Sequence, residues 1–452
     1  MLGVNVPDEL ALVLCELGGV EQLSALGSNG PLLASAGSKS LYHCLFGRDS
    51  IRMAADLVDD FPAVARATLI ELARLQGVTV NPRGEEEPGR ILHEFRHSDD
   101  PHAPATGQWD FPYYGAVDTT PQWITLLHAY GLRYGLDILD EELTNRAGWR
   151  ITLRDSLLSA LGWIVGRMDD PVCGGYVYVR RSNEFGIVNQ VWEDSLDSHY
   201  HEDGTALDPC RPYAPVAVQG YTYDALLGAA ELLDQAPGPL LVATATLRAR
   251  AARLRWQVLR DFWQPDLGTF AMAMAAEADG SLRPVRVAAS SAGHLLASRL
   301  LEGADAAPKR VRLINRMLQP DMLSGAGIRT KSTGAARFRA GSYHNGSSWP
   351  MDSGVIADGL RRWGYHAEAW DLDRRILAGC AAIGGFPEFF RGEPDGTLCV
   401  NSEILDAIVD GVPNRLEQPP QANQGWTATR VWRILRRDDA LAAEVQRWQA
   451  AA

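Results

Sequence analysis

Several kinds of sequence feature are missing from this 452-residue chain, and each absence excludes a class of protein. No stretch of about 18 consecutive apolar residues is present, which excludes a transmembrane helix. The six cysteines are scattered and form no CxxC pair, so we expect reduced thiols and neither a disulfide framework nor a zinc knuckle. The first residues lack a basic segment followed by an apolar stretch, so no signal peptide is expected. These absences predict a cytoplasmic protein.

Clusters of basic residues are also missing, and the net charge is −13. An acidic surface repels phosphate backbones and anionic headgroups, so neither nucleic acid nor a membrane is an expected partner. What the chain does contain is ample apolar material, 46% of its residues, and 13 tryptophans. A core of this size needs fewer indoles, so some of them are expected to face a ligand.

Helical periodicity dominates the chain. Thr119 and Thr120 supply hydroxyl caps, Pro121 follows in the first helical turn, and apolar residues then recur on one face. There is no alternation of strands with helices and no linker rich in proline and serine. We therefore predict one all-α domain over residues 1–452. Its predicted helices lie near 50–60, 63–76, 119–135, 151–168, 219–234, 240–262, 287–302, 351–364, 366–382 and 424–436.

Long segments rich in glycine, proline, aspartate, histidine and aromatic residues separate these helices, at 79–118, 170–218, 320–350 and 385–423. Structureless loops of 30 or so residues are unusual in a compact domain. Because several occur in one chain, and each carries tryptophan or acidic residues, we expect them to form a shared functional mouth.

The segment from His93 to His97 reads His-Glu-Phe-Arg-His and fits the H-E-x-x-H pattern of zinc peptidases. Its surroundings oppose that interpretation. Proline and glycine precede it, Asp99-Asp100-Pro101 follows it, and no long amphipathic helix frames it. A third ligand would also be needed, and nothing distinguishes His102 or His128 for that role. The sequence therefore favours a polar loop that lines a site, without a metal.

Two groups of carboxylates carry more chemistry. Trp192 is followed by Glu193, Asp194 and Asp197, and Glu388 lies between Pro387 and two phenylalanines. The first group could be a solvated acidic turn, and Glu388 could lie at a turn with its carboxylate exposed to water. Against this, an exposed loop has little use for an indole unless a ligand stacks on it, and aromatic neighbours would desolvate Glu388 and raise its pKa. Paired carboxylates beside aromatic rings are typical of glycoside hydrolysis.

Five motifs, taken together and in order, resemble the glucosidase part of glycogen-debranching enzymes (amylo-α-1,6-glucosidases) and their glucoamylase and trehalase relatives. They are FGRDS at 46–50, PGRILHE at 88–94, YYGAVDTTP at 113–121, QVWEDS at 190–195 and SYHNGSSWP at 342–350. The resemblance extends from about residue 40 to about 435. It also gives the H-E-x-x-H match an explanation that needs no zinc.

The resemblance implies an (α/α)6 barrel, an inverting exo-acting α-glucosidase activity and no cofactor. By position, Asp194 matches the family's general acid and Glu388 its general base. Arg48 and Asp49 match residues that hold the hydroxyls of the released sugar. The remaining residues expected to bind the substrate, an oligosaccharide or small glycoside, are Trp109, Asp118, Trp192, His344, Asn345, Trp349 and Trp426.

The sequence departs from this family in three places. One is the segment around Glu388, which reads Phe-Pro-Glu-Phe-Phe where relatives often have Leu-Pro-Glu-Leu. Few residues precede Phe46, where debranching enzymes carry a β-sandwich, so a short α-glucoside fits as well as a branched polymer. Residues 415–426 keep only the outline of a further motif, which leaves open an outer-subsite role for Glu417. Two other functions on the same barrel remain: a phosphorolytic enzyme, and a carbohydrate-binding protein without catalysis.

Overall fold

The computed structural model of the protein describes residues 31–36, 42–97, 100, 102, 109–236, 243–398, 405–409, 412–416 and 420–451. Glu417 lies outside these residues, so its outer-subsite role stays a hypothesis from the sequence. Within the described ranges, no helix combines the length and the apolar character needed to cross a membrane.

Helices build the architecture, as the sequence predicts. The eleven α-helices of the described residues are α1 (Gly47–Leu57), α2 (Pro62–Arg74), α3 (Thr119–Tyr134), α4 (Leu153–Asp169), α5 (Val216–Gln235), α6 (Thr244–Asp261), α7 (Ala307–Met317), α8 (Pro350–Arg362), α9 (His366–Ile383), α10 (Gly425–Arg437) and α11 (Asp439–Ala451). Shorter 3-10 helices span Pro82–Gly84, Leu136–Asp140, Pro171–Cys173, Ser290–Leu296 and Arg299–Leu301.

Six of these elements close a ring. Each packs against the next in the order α1, α3, α5, Ser290–Leu296, α8 and α10, and α10 returns to α1. The other six helices pack outside them: α2 on α1 and α3, α4 on α3, α6 on α5, α7 on Ser290–Leu296, α9 on α8 and α11 on α10. Two concentric rings of six elements form the all-α barrel expected from the sequence.

Apolar side chains fill the space between the two rings. Trp123 on α3 is fully buried there, and its indole N–H donates to the Leu69 carbonyl of α2 at 3.1 Å. A buried indole with a satisfied N–H contributes a large apolar area without the cost of an unpaired donor. This packing fixes the inner helices that carry the site.

Strands are short and lie in the connections. Antiparallel pairs join Leu45–Phe46 with Glu94–Phe95, Glu142–Thr144 with Arg150–Thr152, Trp263–Gln264 with Thr269–Phe270, Leu323–Ser324 with Gly327–Ile328, and Leu405–Val409 with Val412–Leu416. A three-stranded sheet orders Tyr213–Pro215, Ala273–Ala276 and Leu282–Val285, with the second strand central.

Three helix predictions need correction. The helix expected over 287–302 is two 3-10 helices, since the Ser298 side chain accepts the Leu300 N–H and starts a new turn after Ala297. Such local side-chain bonds compete with the α-helical ladder. The sequence interpretation also missed α7 and α11, which contribute to the outer ring.

Candidate active site

A small pocket lies at one end of the inner ring. All four long loops predicted to form a mouth contribute to it, together with the residues that lead into α1 and α10. Eight of the eleven predicted site residues line the pocket: Arg48, Asp49, Trp192, Asp194, His344, Trp349, Glu388 and Trp426. The other lining residues are Ala34, Tyr42, Phe46, His93, Tyr343 and Gln424.

Inner helices begin at the pocket and place side chains in it. Arg48 and Asp49 occupy the first turn of α1, Trp349 is the N-cap of α8, and Gln424 is the N-cap of α10. Gln424 Nε2 donates to Asp49 Oδ1 at 2.9 Å, which joins the first and last inner helices. Helix N-termini carry partial positive charge, so they suit a site that holds carboxylates.

Three predicted site residues do not line the pocket. Asp118 lies behind it and holds Arg48 through two bonds of 2.8 and 3.1 Å. Asn345 is buried, and its amide donates to the Asp197 carbonyl at 3.1 Å. Trp109 stacks on Tyr113 with ring centroids 4.8 Å apart. Asp118 therefore fixes the pocket residue Arg48, and Asn345 fixes the loop that carries Asp194. Contact of either residue with a substrate stays a prediction.

Three carboxyl groups share the pocket, and burial raises the pKa of each. The pKa of Asp194 rises to about 7 and that of Asp49 to about 7, in both cases against the opposing influence of Arg48. The pKa of Glu388 rises to about 8, and the neighbouring Asp49 and Asp194 add to the rise. Each ionised carboxyl makes ionisation of the other two more costly. The three carboxyls therefore titrate as a coupled set near neutral pH.

The order of these pKa values differs from the expectation. A general acid must be protonated and a general base ionised at the same pH. The expected roles therefore require the pKa of Asp194 to be higher than that of Glu388. Both values are raised instead, and that of Glu388 is the higher one. The two pKa values therefore lie close together, and burial is the largest cause of the rise in both.

Glu388 has two donors that favour its ionised form. The Tyr343 hydroxyl donates to Oε1, and the Gln421 backbone N–H donates to Oε2 at 3.2 Å. Both hydrogen bonds lower the pKa of Glu388 against the effect of burial. A carboxylate held at both oxygens has a fixed orientation, which general-base catalysis requires.

His344 presents a defined donor to the pocket. Its Nδ1 lies 3.2 Å from the Ser195 backbone nitrogen, and a backbone N–H can only donate. Burial and the nearby Lys331 and Arg48 charges keep the pKa of His344 well below its usual value, so the ring is neutral. The proton therefore sits on Nε2, which is buried and has no partner among the described residues.

Aromatic rings enclose the rest of the pocket. Trp349 stacks on His344 at 5.0 Å and on Phe389 at 5.2 Å, and meets Trp426 and Trp192 edge to face. The indole nitrogens of Trp192 and Trp426 are buried and, within the described part of the chain, have no hydrogen-bond partner. Buried polar groups are normally satisfied, so unpartnered donors at a pocket indicate a ligand that accepts them.

The H-E-x-x-H segment forms part of the wall of this pocket. Only His93 lines the pocket, and Glu94 is paired with Arg96 at 2.5 Å on a two-residue strand. His97 packs its ring on Phe95. Across the residues that the structure describes, no group of three or more histidine, cysteine, aspartate or glutamate side chains is placed to hold a metal ion.

Six pocket residues were missed by sequence reasoning: Ala34, Tyr42, Phe46, His93, Tyr343 and Gln424. Phe46, His93 and Tyr343 lie inside recognised motifs, and Gln424 lies in the segment 415–426 that keeps the outline of one. Ala34 and Tyr42 carry no such signal.

The barrel, the grouped carboxyls and the unpartnered donors together define a helical-barrel enzyme for a hydroxyl-rich substrate. The sequence profile of the mannosylglycerate hydrolase MGH1-like glycoside hydrolase domain matches residues 149–399, more than half of the chain. The chain therefore belongs to this family of glycoside hydrolases. The predicted glycosidase activity is confirmed at this level, whereas the closer likeness to glycogen-debranching enzymes is not.

Solved structures share the same barrel. A GH63 mannosylglycerate hydrolase from Thermus thermophilus in complex with Tris and D-glycerate is 14% identical, with a TM-score of 0.61 over 94% of this chain and 100% of that one. The same enzyme in complex with glucose is also 14% identical, and its TM-score is 0.59 over 96% of this chain and 100% of that one. A protein described as a wild-type glycosidase is 15% identical, and its TM-score is 0.56 over 95% of each chain. At these identities the likeness establishes the fold alone. No curated protein matches the sequence.

Proposed function

We propose that the protein is an inverting, exo-acting glycosidase that hydrolyses a short α-linked glycoside, with Asp194 as general acid and Glu388 as general base. One observation carries this proposal: two carboxyls with raised pKa values, the buried Glu388 and the partly exposed Asp194, lie in a single pocket whose indole and imidazole donors have no partner among the described residues. Sugar hydroxyls accept such donors, and aromatic rings pack on the apolar face of a sugar.

In this mechanism Asp194 gives its proton to the glycosidic oxygen while the bond to the anomeric carbon breaks. Glu388 takes a proton from a water molecule, whose oxygen attacks that carbon from the opposite face. Inversion needs about 6.5–9.5 Å between the two carboxyls, so that the water fits. Tyr343 and Gln421 stabilise the charge on Glu388 before the attack.

The sugar is held by the remaining pocket residues. Arg48, anchored by Asp118, and His344 through Nε2 donate to hydroxyl groups, and Asp49 accepts from one. Trp192 and Trp426 add their indole donors. The pocket is small, which supports removal of one terminal sugar at a time.

A neutral α-glucoside is the substrate class that the charges favour. Three carboxyls line the pocket against a single lining arginine, Arg48, which is already paired with Asp118. A glycoside of an organic acid, such as a hexosyl glycerate, is the second candidate. The family match favours it, because the family takes its name from mannosylglycerate hydrolase.

Phosphorolysis is the least favoured reaction on this barrel. A phosphate ion would have to enter beside Asp49, Asp194 and Glu388, and their charges repel it. Binding without catalysis is also disfavoured, since that function predicts one of the two carboxyls outside the pocket, and both line it.

The test is a substrate panel in phosphate-free buffer. It contains α-linked glucose disaccharides, short branched glucans, glucosylglycerate and mannosylglycerate, with the product anomer followed by proton NMR. We expect release of free sugar, first as the β-anomer, from a member of the panel. The α-anomer as first product would rule out inversion, a need for phosphate would indicate phosphorolysis, and no release from any member would contradict the proposal.

A further inference from the structure

A second cavity, of about 270 Å³, lies inside the inner ring of the barrel. All six inner elements contribute to its walls, yet it shares no lining residue with the active-site pocket. We call it the axial cavity. His294 lines it and stacks at 5.8 Å on Trp192, which lines the pocket. This pair of rings forms part of the partition between the two spaces.

Arg52 on α1 brings a positive charge to the wall of the axial cavity. Its guanidinium lies 5.1 Å from the centre of the Tyr221 ring, and its buried Nε has no hydrogen-bond partner among the described residues. Asp56, one turn further along α1, is near enough for the Arg52 charge to oppose the rise in its pKa, but Asp56 forms its ion pairs with Arg430 and Arg433. The other two arginines of the cavity are paired: Arg133 with Asp59 at 2.8 Å and Arg433 with Asp56 at 3.4 Å.

Arg52 is partly exposed, so its guanidinium is open to a ligand that enters the cavity. The surroundings do not oppose an incoming anion strongly. Asp224 is the carboxyl that lines the cavity, and burial raises its pKa to about 7, so much of it is neutral at neutral pH. Its oxygen already accepts the Arg299 backbone N–H at 3.0 Å.

Gln122 on α3 provides an independent observation. Its side chain is 6% exposed, it lines the axial cavity, and its Oε1 has no partner among the described residues. The helices α1 and α3 pack against each other, so Arg52 and Gln122 belong to neighbouring walls. A buried amide oxygen without a donor is a site for a hydroxyl or N–H of a ligand.

We propose that the axial cavity binds a small aliphatic hydroxycarboxylate, distinct from the glycoside of the active site. The carboxylate pairs with Arg52, whose planar guanidinium matches it in geometry. The hydroxyl donates to Gln122 Oε1. The short carbon body contacts the apolar part of the wall, formed by Ile51, Ala55, Val58, Leu126, Ala129 and Val355.

The experiment follows the methyl resonances of Val58 and Val355 in the full chain by NMR, because both side chains line the cavity. L-Lactate is titrated first, then propionate, which lacks the hydroxyl, and then inorganic phosphate. We expect saturable shifts with lactate and affinity for propionate lower by several-fold. R52Q should weaken lactate binding at least tenfold, and Q122L should remove the preference of lactate over propionate.

R253Q is the matched control, because Arg253 is an exposed arginine on the outer helix α6 and should leave binding unchanged. R52K serves if R52Q does not fold, since it keeps the charge but loses the planar fork, and weaker lactate binding is again expected. The proposal is overturned if Val58 and Val355 do not respond, if the Arg52 variants bind as wild type does, or if phosphate binds as tightly as lactate.

Discussion

Lys331 Nζ donates to Glu193 Oε1 at 2.7 Å, and both side chains are excluded from solvent. The same ammonium group donates to the His344 carbonyl at 3.1 Å. Glu193 immediately precedes the candidate acid Asp194. One buried cation therefore joins the loop of Asp194 to the loop of His344, and both of these residues line the pocket.

Replacing Lys331 with methionine should destabilise the fold and lower activity together. The substitution leaves Glu193 buried without a counter-charge, a change that costs about 3–5 kcal/mol in comparable cases. Chemical denaturation measures the loss of stability. The double variant K331M/E193Q removes both charges and should recover most of that stability; if it recovers none, the ion pair is not the reason for the loss.

Removing either candidate catalytic carboxyl should abolish turnover in a folded protein. For D194N and E388Q we expect kcat to fall by roughly 10²–10⁴-fold, the usual contribution of general acid or base catalysis. D197N is the matched control, since Asp197 lies in the same loop as Asp194 but does not line the pocket. Near-normal activity in D194N or E388Q would exclude that residue from its assigned role.

The pH dependence of kcat/KM should be bell-shaped. Productive molecules carry a proton on Asp194, with a pKa of about 7, and none on Glu388, with a pKa of about 8. Activity should rise up to about pH 7 and fall above about pH 8, with the productive form remaining a minority of roughly one molecule in ten. Steady-state kinetics from pH 5 to 10 checks this. Highest activity below pH 6 would contradict the two assignments.

Tyr343 should set the alkaline limb of that profile. Its hydroxyl bond to Glu388 favours the ionised carboxylate, so Y343F raises the pKa of Glu388 further. We expect the alkaline limb to move to higher pH, the maximum to decrease, and the acidic limb to stay in place. A uniform loss of activity at every pH would instead indicate that Tyr343 only supports the fold.

Glu388 should also make the stability of the fold depend on pH. Its pKa of about 8 in the folded protein exceeds the ordinary value of 4.5, so the folded state binds this proton more tightly. The resulting stabilisation is full below about pH 4.5 and is lost as the pH rises to about 8. E388Q cannot ionise, and its Tm should exceed that of wild type at pH 9 and match it near pH 4.5. E184Q, at an exposed position, should show no such difference.

Local chemistry made the helical architecture predictable. Pro121 and Pro350 stand in the first turns of α3 and α8, and apolar residues then recur at helical spacing. The helix α7 was missed because three arginines and a lysine dominate it, and only Leu313, Ile314 and Met317 of its apolar residues are fully buried. Its helical state depends on packing against the Ser290–Leu296 turn, a tertiary contact that no local pattern records.

Pocket residues that belong to recognised motifs could be predicted from the sequence. Pocket residues that distant segments bring together through the fold could not. Arg48, Trp192 and His344 could be placed in it from the sequence. The contacts of Asp118 with Arg48 and of Asn345 with the Asp197 carbonyl could not be predicted, because each joins residues that are distant in the chain. The pKa of Glu388 also depends on Asp49 and Asp194, which are far from it in sequence.

The hydrogen bond between Asp49 and Gln424 spans 375 positions of the chain. During synthesis, α1 leaves the ribosome long before α10. Asp49 can form its hydrogen bond with Gln424 only after α10 has been made. Until then one side of the ring is open and the pocket lacks Gln424 and Trp426. The activity is therefore a property of the finished chain: fragments released before α10 contain most of the pocket residues yet lack the contact that closes the pocket.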